Sequence, residues 1–458
     1  MAIPDGVAPG VTGCALRPEN SKVVVMMIHS RKTSALVSVG VLVSAAAWLA
    51  PSAAAATPSC GGRTATIVGT AAADTVTGTE GPDVIATLQG SDQVDGLGGD
   101  DWICGGDGRD TITGNRGDDH AYGQDGGDTV IEGAGSDQDV AGSYGTYGDV
   151  LTYEFVGQPV TMQLATSSAV VDDDRDTVRG FDFYQGTQHN DLFTGTDTGD
   201  YFAGGEGDDD IAGYGGTDQL VGDAGDDTIF GGRGDDDVHG WEGFDHLIDM
   251  HGNNEVHDIA ATGATGAVIV TGAGDDWVSA ESPDPQADYT VTTGDGADEV
   301  YVNGTTRNVR VETGSGNDFV QVDDGAETVR VRTQQGNDEL ILLPTEGQRA
   351  SGGAGIDRVR FPLDYVDITL KLGPNGHLSV PVQMSLPDFE NAWSGYGDDT
   401  ITGSESRNAI FSGDGNDALS GLGGDDRLNA SYDIDDSARG GGGHDECLNA
   451  ETTFSCEG

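Results

Sequence analysis

The chain has 458 residues, of which 75 are glycine, 14 are proline and only 6% are aromatic. Each glycine inside a helix costs about 1 kcal/mol, and so few aromatic residues argue against one large close-packed core. This composition disfavours a helical protein and a conventional α/β enzyme. A formal net charge of −58 would repel nucleic acid and anionic membranes, so we expect no nucleic-acid partner and predict a hard cation as the counter-charge.

The N-terminal segment has the pattern of an export signal. A basic pair precedes the apolar stretch Ala35–Leu49, which is followed by the small residues Ala53–Ala56. This order predicts a secretory signal peptide, and the stretch is shorter than the roughly 18 residues of a membrane-spanning helix. We assign residues 1–56 to a leader and signal peptide, with Met26 or Met27 as possible initiators. We therefore expect a secreted, extracellular protein without a membrane span.

Most of the remaining chain divides into nine-residue units such as GLGGDDWIC and GGDGRDTIT. The first array begins at Gly69, the second at Gly186 and the third at Ser394. The sixth position of a unit is almost always aspartate, and the eighth is usually apolar. The sixth-position aspartates are Asp74, Asp83, Asp92, Asp101, Asp110, Asp119, Asp128 and Asp137 in the first array, Asp191, Asp200, Asp209, Asp218, Asp227, Asp236 and Asp245 in the second, and Asp399, Asp417 and Asp426 in the third.

Between Ala267 and Arg360 the repeat is longer. Units such as TGDGADEVY recur every 20 to 22 residues and are preceded by alternating strand patterns. The spacing indicates one glycine-aspartate turn per coil, with the opposite turn replaced. Weaker ligand candidates in these turns are Asp276, Asp298, Asp318 and Asp338. The alternative, that these are tight turns that bind no metal, remains open.

The unit itself predicts a short strand and a turn. An apolar eighth residue flanked by outward residues gives a strand with one inward side chain, while glycines at positions one, two and four permit a tight turn with exposed carbonyl oxygens. Two units complete one coil, so like turns stack 18 residues apart. Carboxylates in stacked turns, about 4.8 Å apart, repel each other. Ca²⁺ suits such a site because it takes six to eight oxygen ligands in flexible geometry, whereas Mg²⁺ prefers a strict octahedron.

The nonapeptide resembles the calcium-binding repeat of the haemolysin-type, or RTX, proteins. This resemblance implies an all-β fold, a parallel β-roll or β-helix solenoid, with multiple Ca²⁺ ions held by the aspartates given above. It also implies that the segments without the repeat are strand-rich inserts between arrays. The predicted division is 1–56 leader and signal peptide, 57–140 first array, 141–185 insert, 186–257 second array, 258–360 region of longer repeats, 361–393 insert, 394–448 third array and 449–458 C-terminal disulfide cap.

Four cysteines follow the signal peptide, and Cys14 lies upstream of it. Four cysteines allow three pairings. The simplest pairing joins Cys60 with Cys104 and Cys447 with Cys456, which would fasten both open ends of a roll.

No catalytic residue is predicted, because neither HExxH nor GxSxG is present. Four histidines lie close together in the sequence: His239, His246, His251 and His257. Because their spacings place them on different faces of a roll, we interpret them mainly as exposed side chains. The leading hypothesis is a secreted calcium-binding protein with a structural or interaction role. One alternative is a β-helix polysaccharide lyase, epimerase or hydrolase using the arginine-rich strands with Arg307, Arg310, Arg330 and Arg332. The other is a surface adhesin with a cell-wall or glycan partner.

Overall fold

The structure, a computed structural model, describes residues 57–144, 148–259, 266–323, 326–363, 366–380, 382–431 and 435–457. The predicted leader and signal peptide, with Met26, Met27 and Cys14, lies outside these residues. Within the described ranges every regular element is a β-strand except a single 3₁₀ turn at Leu164–Thr166. The predicted all-β solenoid is confirmed. No helix in this part of the chain is long and apolar enough to cross a membrane.

Each nonapeptide forms one short strand whose central side chain points into the roll. In Thr111–Thr113, Ile112 is fully buried and both threonines are half-buried. This pattern arises because successive side chains of a strand face opposite sides. The β-branched residues at these positions also favour an extended backbone. The glycine-rich residues between strands reverse the direction of the chain.

The strands form two parallel sheets, which we call sheet 1 and sheet 2, with the apolar core between them. Paired strands in the arrays are 18 residues apart, as in Ile112 with Val130 and Ile211 with Ile229. Sheet 1 contains Thr75–Thr77, Gln93–Asp95, Thr111–Thr113, Thr129–Ile131, Val150–Thr152, Phe183–Gln185, Tyr201–Glu206, Gln219–Ala224, Asp237–Glu242, Glu255–Ile259, Trp277–Ser282, Glu299–Gly304, Phe319–Val322, Glu339–Leu342, Arg358–Leu363, Asn391–Gly395, Ala409–Phe411, Arg427–Asn429 and Glu446–Leu448. Sheet 2 contains Ile67–Val68, Val84–Ala86, Trp102–Gly108, His120–Gly126, Gln138–Val140, Ser143–Tyr144, Val160–Gln163, Ser168–Val171, Asp174–Arg179, Leu192–Thr194, Asp210–Ala212, Thr228–Phe230, Phe244–His251, Gly266–Ala273, Asp288–Thr292, Asn308–Glu312, Thr328–Arg332, Arg349–Ser351, Thr369–Lys371, His377–Val380, Met384–Ser385, Thr400–Thr402, Ala418–Gly423, Ser437–Gly442 and Thr452–Phe454.

Between the second and third arrays the strands are longer, and many bury two side chains. In Asn308–Glu312, Val309 and Val311 are buried while Arg310 between them is exposed. Neighbouring strands here pair at separations of 19 to 22 residues. The longer period therefore lengthens each coil while the same two-sheet architecture continues.

Both segments without the repeat place an antiparallel triplet inside sheet 2. In the first, Ser168–Val171 pairs antiparallel with Val160–Gln163 on one side and Asp174–Arg179 on the other. The outer strands of the triplet then pair parallel with Leu192–Thr194 and Gln138–Val140. The second segment repeats this arrangement with Thr369–Lys371, His377–Val380 and Met384–Ser385. The sheet thus remains continuous where the nonapeptide is interrupted.

The cysteines lie near the two ends of the roll. Cys60 belongs to a small antiparallel pair, Ser59–Cys60 with Arg63–Thr64, and is bonded to Cys104. Cys447 and Cys456 form the second disulfide. The predicted pairing is therefore the one found in the structure.

Candidate metal sites

The turn GDAGDDTIF in the second array shows how glycine shapes the site. Gly225 has a φ of +148°, and a Cβ there would overlap the carbonyl oxygen of Gly207 in the preceding coil. A Cβ on Gly222 would lie 2.9 Å from the carbonyl oxygen of Gly240 and closer still to Oδ2 of Asp227. Glycine at the fourth position thus permits close stacking of coils. Glycine at the first position is needed because a side chain there would collide with these oxygen atoms.

The sixth-position aspartates link neighbouring coils through one carboxylate oxygen. Oδ1 of Asp227 accepts the backbone N–H of Asp209 at 2.8 Å, and Oδ1 of Asp245 accepts the N–H of Asp227 at 2.9 Å. Without this acceptor each N–H would be buried and unpaired, at a cost comparable to a lost hydrogen bond. The aspartate therefore has a structural role in addition to any role in metal binding.

These hydrogen bonds form two ladders, one along the edge leading into each sheet. All the sequence-predicted aspartates lie on them. Ladder 1 contains Asp74, Asp92, Asp110, Asp128 and Asp149, continues with Asp200, Asp218, Asp236, Asn254, Asp276, Asp298, Asp318, Asp338 and Asp357, and resumes with Asn408, Asp426 and Asp445. Ladder 2 contains Asp83, Asp101, Asp119, Asp137 and Asp176, then Asp191, Asp209, Asp227 and Asp245, and finally Asp399, Asp417 and Asp436.

The second carboxylate oxygen of most predicted aspartates is buried without a hydrogen-bond donor among the described residues. A buried carboxylate oxygen without a partner is costly, so a proton or a cation is needed beside it. The predicted aspartates with such an Oδ2 are Asp92, Asp101, Asp110, Asp119, Asp128, Asp209, Asp218, Asp227, Asp236, Asp245, Asp276, Asp298, Asp318, Asp338, Asp399, Asp417 and Asp426.

Burial makes the charged form of these side chains unfavourable. Desolvation, followed by the charges of neighbouring aspartates, raises the pKa of Asp209 to about 8 and that of Asp227 to about 7. In both residues a backbone N–H bonded to the carboxylate opposes the shift. Because like charges in one ladder lie one coil apart, a cation between the coils would relieve both desolvation and repulsion.

The donor set fits Ca²⁺. Oδ2 of Asp227 and the backbone carbonyl oxygen of Gly240 both face Gly222, and oxygen atoms from adjacent coils are the mixed carboxylate and carbonyl ligands that Ca²⁺ prefers. Zinc sites instead favour sulfur and nitrogen ligands. The residues that would hold calcium are therefore the sixth-position aspartates together with the turn carbonyls.

Four predicted ligands have a different environment, because a threonine four residues earlier already donates to the carboxylate. For example, Oδ2 of Asp83 accepts the N–H of Thr79 at 2.7 Å and its hydroxyl at 2.9 Å. These threonines occupy the second position of the unit and open the first two arrays. The four aspartates are Asp74, Asp83, Asp191 and Asp200. Their turns are stabilised by protein donors alone.

The four aspartates of the longer repeats are positioned like those of the arrays. Asp298, for example, accepts the N–H of Asp276 at 3.0 Å and donates its own N–H to Asp318 at 3.1 Å. Ladder 2 has no member between Asp245 and Asp399 in the described residues. One side of each coil therefore retains the aspartate turn. These four residues make the same hydrogen bonds to neighbouring coils as the array aspartates do.

Several ladder residues were missed by the sequence analysis. Asp357 and Asp445 end the segments GGAGID and GGGGHD, so a repeat-like signal was present. Asp149 and Asp176 lie in the first insert, where no nonapeptide marks them, and they reach the ladders only because the insert strands join the sheets.

Two of the four grouped histidines are brought together. His239 and His257 occupy paired positions of neighbouring strands in sheet 1, and their rings stack with centroids 4.5 Å apart. Asp237 lies 2.7 Å from Nε2 of His239. His246 and His251 belong to a strand of sheet 2. The expectation that the spacing separates all four histidines was therefore wrong for this pair, because the 18-residue period brings His239 and His257 into register.

The comparison with protein families agrees with this geometry. The RTX calcium-binding nonapeptide repeat (4 copies) matches residues 68–103, 105–139, 185–220, 212–247 and 393–428. A search of curated proteins found no match. The matched segments contain all of the predicted array aspartates, and the ion bound by such repeats is Ca²⁺. The chain is therefore a β-roll protein that carries RTX calcium-binding nonapeptide repeats, for which Ca²⁺ is the expected ion.

Proposed function

We propose that this is a secreted protein whose roll folds when Ca²⁺ fills the spaces between stacked turns outside the cell. The observation that supports the proposal is the row of buried Oδ2 atoms without donors in the described ladders. The aspartates predicted from the sequence are proposed as the ligands, except Asp74, Asp83, Asp191 and Asp200, whose carboxylates already accept threonine donors. The three arrays, 57–140, 186–257 and 394–448, are proposed as the calcium-dependent segments of the chain.

The energetics favour metal binding as the folding switch. A site whose Kd is one tenth of the free calcium concentration adds about 1.4 kcal/mol of stability. Ten such sites would add about 14 kcal/mol, which equals the stability of a typical domain. In low calcium, as inside a cell, the buried carboxylates would oppose folding. An unfolded chain is suited to export, which is consistent with the predicted signal peptide and with the two disulfides.

The test is a calcium titration of the purified chain followed by circular dichroism. In chelator we expect a largely unfolded spectrum, and Ca²⁺ in the range of about 10⁻⁴ to 10⁻³ M should restore β-structure. Mg²⁺ at the same concentration is the control. A β spectrum that chelator leaves unchanged would contradict calcium-dependent folding, and appearance of the chain only inside the producing cells would contradict secretion.

A second candidate function, binding of an acidic polysaccharide, is favoured by an arginine row on sheet 2. Arg310, Arg330 and Arg349 are exposed and in register on neighbouring strands. They line a groove of about 480 Å³. Arg310 pairs with Glu312 at 2.6 Å, but among the described residues no ion pair involves Arg330 or Arg349. In so acidic a chain, this row is a local site for a carboxylated glycan.

This second function is tested by measuring binding of a carboxylated polysaccharide and of a neutral one in calcium-containing buffer. We expect binding of the acidic glycan only, and at least a tenfold loss in an Arg330→Ala/Arg349→Ala variant. Arg233→Ala, which removes an exposed arginine outside the row, is the matched control. Equal binding by the two variants would exclude the arginine row, and product formation during the assay would favour the enzyme alternative.

A further inference from the structure

The last unit of the first array, EGAGSDQDV, departs from the repeat at two positions. Glu132 occupies the first position, where most units of the array have glycine, and Asp139 occupies the eighth, where the other seven have Val, Ile or Ala. Both positions face the interior. A Cβ on Gly123, the first position of the preceding unit, would point at Oδ2 of Asp128, so Glu132 is directed toward its own sixth residue, Asp137.

These substitutions create a group of buried acids that we call the Glu132 cluster, consisting of Glu132, Asp137, Asp139 and Asp176. One carboxylate oxygen from each of Glu132, Asp137 and Asp176 lies within 4.8 Å of the other two. The acids facing Glu132 are Asp139, Asp176 and Asp137. Asp176 is contributed by the first insert, and its Oδ2 accepts the hydroxyl of Tyr153 at 3.0 Å. The cluster therefore joins the array to the insert.

The cluster is deeply buried. Glu132 is 6% exposed and Asp139 is 2% exposed. Oε1 of Glu132 and Oδ2 of Asp139 have no hydrogen-bond partner in the described structure. In sheet 2, Asp139 pairs with Ala121 and Val178, whose side chains are apolar. No lysine, arginine or histidine forms an ion pair with the cluster within the described ranges.

We infer that the Glu132 cluster is an internal Ca²⁺ site, additional to the spaces between repeat turns. Two of its ligands, Glu132 and Asp139, come from positions that the repeat reserves for glycine and for apolar residues. Four carboxylates supply hard oxygen donors and more negative charge than a single turn, and calcium affinity rises with the charge of the ligands. A transition metal is disfavoured because the set contains neither nitrogen nor sulfur.

The position of the Glu132 cluster in the fold indicates a structural role for a bound ion. Ladder 2 follows the first array from Asp83 to Asp137 and then passes to Asp176, which is 39 residues later in the chain. A cation held by both sides of this step would fasten the insert to the array where the nine-residue period ends. A surface cavity of about 740 Å³ is lined partly by Glu132 and lies beside this point, providing an approach from solvent.

The experiment uses the full chain and counts bound Ca²⁺ by equilibrium dialysis. Asp139→Val restores an apolar eighth residue and Glu132→Gly restores the glycine, so both variants keep the repeat pattern and should fold. Each should bind one calcium ion fewer per chain than the unsubstituted protein, while the folding transition seen by circular dichroism is retained. Asp173→Asn, which removes an exposed acid from the same insert, should leave the count unchanged.

A spectroscopic measurement locates the lost ion. Tb³⁺, a hard cation with oxygen preference, should show tyrosine-sensitised emission from the cluster because Tyr153 is bonded to Asp176. Tyr153→Phe should reduce this emission and leave the calcium count unchanged, whereas Asp139→Val should reduce both. An unchanged count in Asp139→Val and Glu132→Gly would overturn the internal site while leaving array binding intact. Absence of calcium binding by the unsubstituted chain would overturn both proposals.

Discussion

Asp209 and Asp227 are one coil apart, and the N–H of Asp209 donates to Oδ1 of Asp227 at 2.8 Å while Oδ2 of Asp227 is buried without a donor. The two oxygens of one carboxylate thus have separate roles. One oxygen stabilises the stacking of backbones, and the other is available to a cation. This division explains why a repeat that binds calcium also specifies the register of its coils.

The substitution Asp227→Asn separates the hydrogen-bonding role of this carboxylate from its role as a charged ligand. Asp227→Asn keeps an acceptor for the Asp209 N–H but removes the charge, so we expect it to lose about 1.4 kcal/mol of calcium-dependent stability when Ca²⁺ is tenfold above its Kd. Asp227→Ala also removes the acceptor and should cost a further 1–3 kcal/mol, roughly, that saturating Ca²⁺ does not restore. Unfolding by denaturant with and without Ca²⁺ measures both effects.

Asp226→Asn is the matched control for that comparison. Asp226 is exposed, and its Oδ1 accepts the N–H of Phe244 at 2.8 Å. The substitution therefore removes one charge from the same turn and keeps the acceptor. A loss of calcium-dependent stability equal to that of Asp227→Asn would mean that net charge alone, rather than the buried oxygen, governs the response.

The threonine-bonded turns at the start of the arrays should be the least calcium-dependent part of the ladders. The hydroxyl of Thr79 donates to Asp83 at 2.9 Å, so Thr79→Val removes a donor and should destabilise the folded chain by about 1 kcal/mol. The number of bound calcium ions should not change. Thr111→Val, on a strand where no hydroxyl hydrogen bond is found among the described residues, controls for the methyl replacement. A drop in calcium count for Thr79→Val would show that this turn is itself a metal site.

The Cys60–Cys104 disulfide should stabilise the roll against unfolding that begins at its N-terminal end. Cys60 and Cys104 are separated by 44 residues, and closing a loop of that length stabilises a fold by about 4 kcal/mol in the chain-entropy model. Replacing both cysteines with serine should therefore lower the melting temperature and increase hydrogen exchange first in Val84–Ala86, which pairs with the strand containing Cys104. Peptide mapping without reductant should recover the Cys60–Cys104 and Cys447–Cys456 links. A free thiol at any of these four cysteines in the purified protein would contradict this pairing.

The regular part of the structure was predictable because one local rule, repeated every nine residues, determines strand, turn and ligand together. The position of Asp227 follows from its neighbours in sequence. The positions of Asp149 and Asp176 do not, because they depend on how the insert strands pair with Thr129–Ile131 and Gln138–Val140. The sequence does contain a pattern for the hydrogen bond from Thr79 to Asp83, namely a threonine four residues before the aspartate. The pattern can be interpreted only when the geometry of the turn is known.

The pH dependence of the calcium-free chain follows from the direction of the carboxylate shifts. Burial raises the pKa of Asp209 to about 8 and that of Asp119 and Asp227 to about 7, above the ordinary value of 3.8. A carboxyl group with a raised pKa in the folded state binds its proton more tightly there than in the unfolded chain, so its contribution is fully present below about pH 4 and is lost as pH rises toward 8. In chelator, the β-structure seen by circular dichroism should therefore increase as pH is lowered from 8 to 5, because protons replace calcium at the buried oxygens.

Calcium binding should respond to pH in the opposite direction, becoming weaker as pH falls. Protons compete with Ca²⁺ for Oδ2 of Asp209 and Asp227, so the calcium concentration needed for half-maximal binding should increase as pH falls from 8 to 5. Circular dichroism in chelator measures the first trend, and equilibrium dialysis of Ca²⁺ at each pH measures the second. Asp209→Asn/Asp227→Asn should weaken both trends, since neither amide titrates, while Asp226→Asn should leave them unchanged. β-structure in chelator that increases as pH rises from 5 to 8 would contradict stabilisation of the calcium-free fold by protons at these carboxylates.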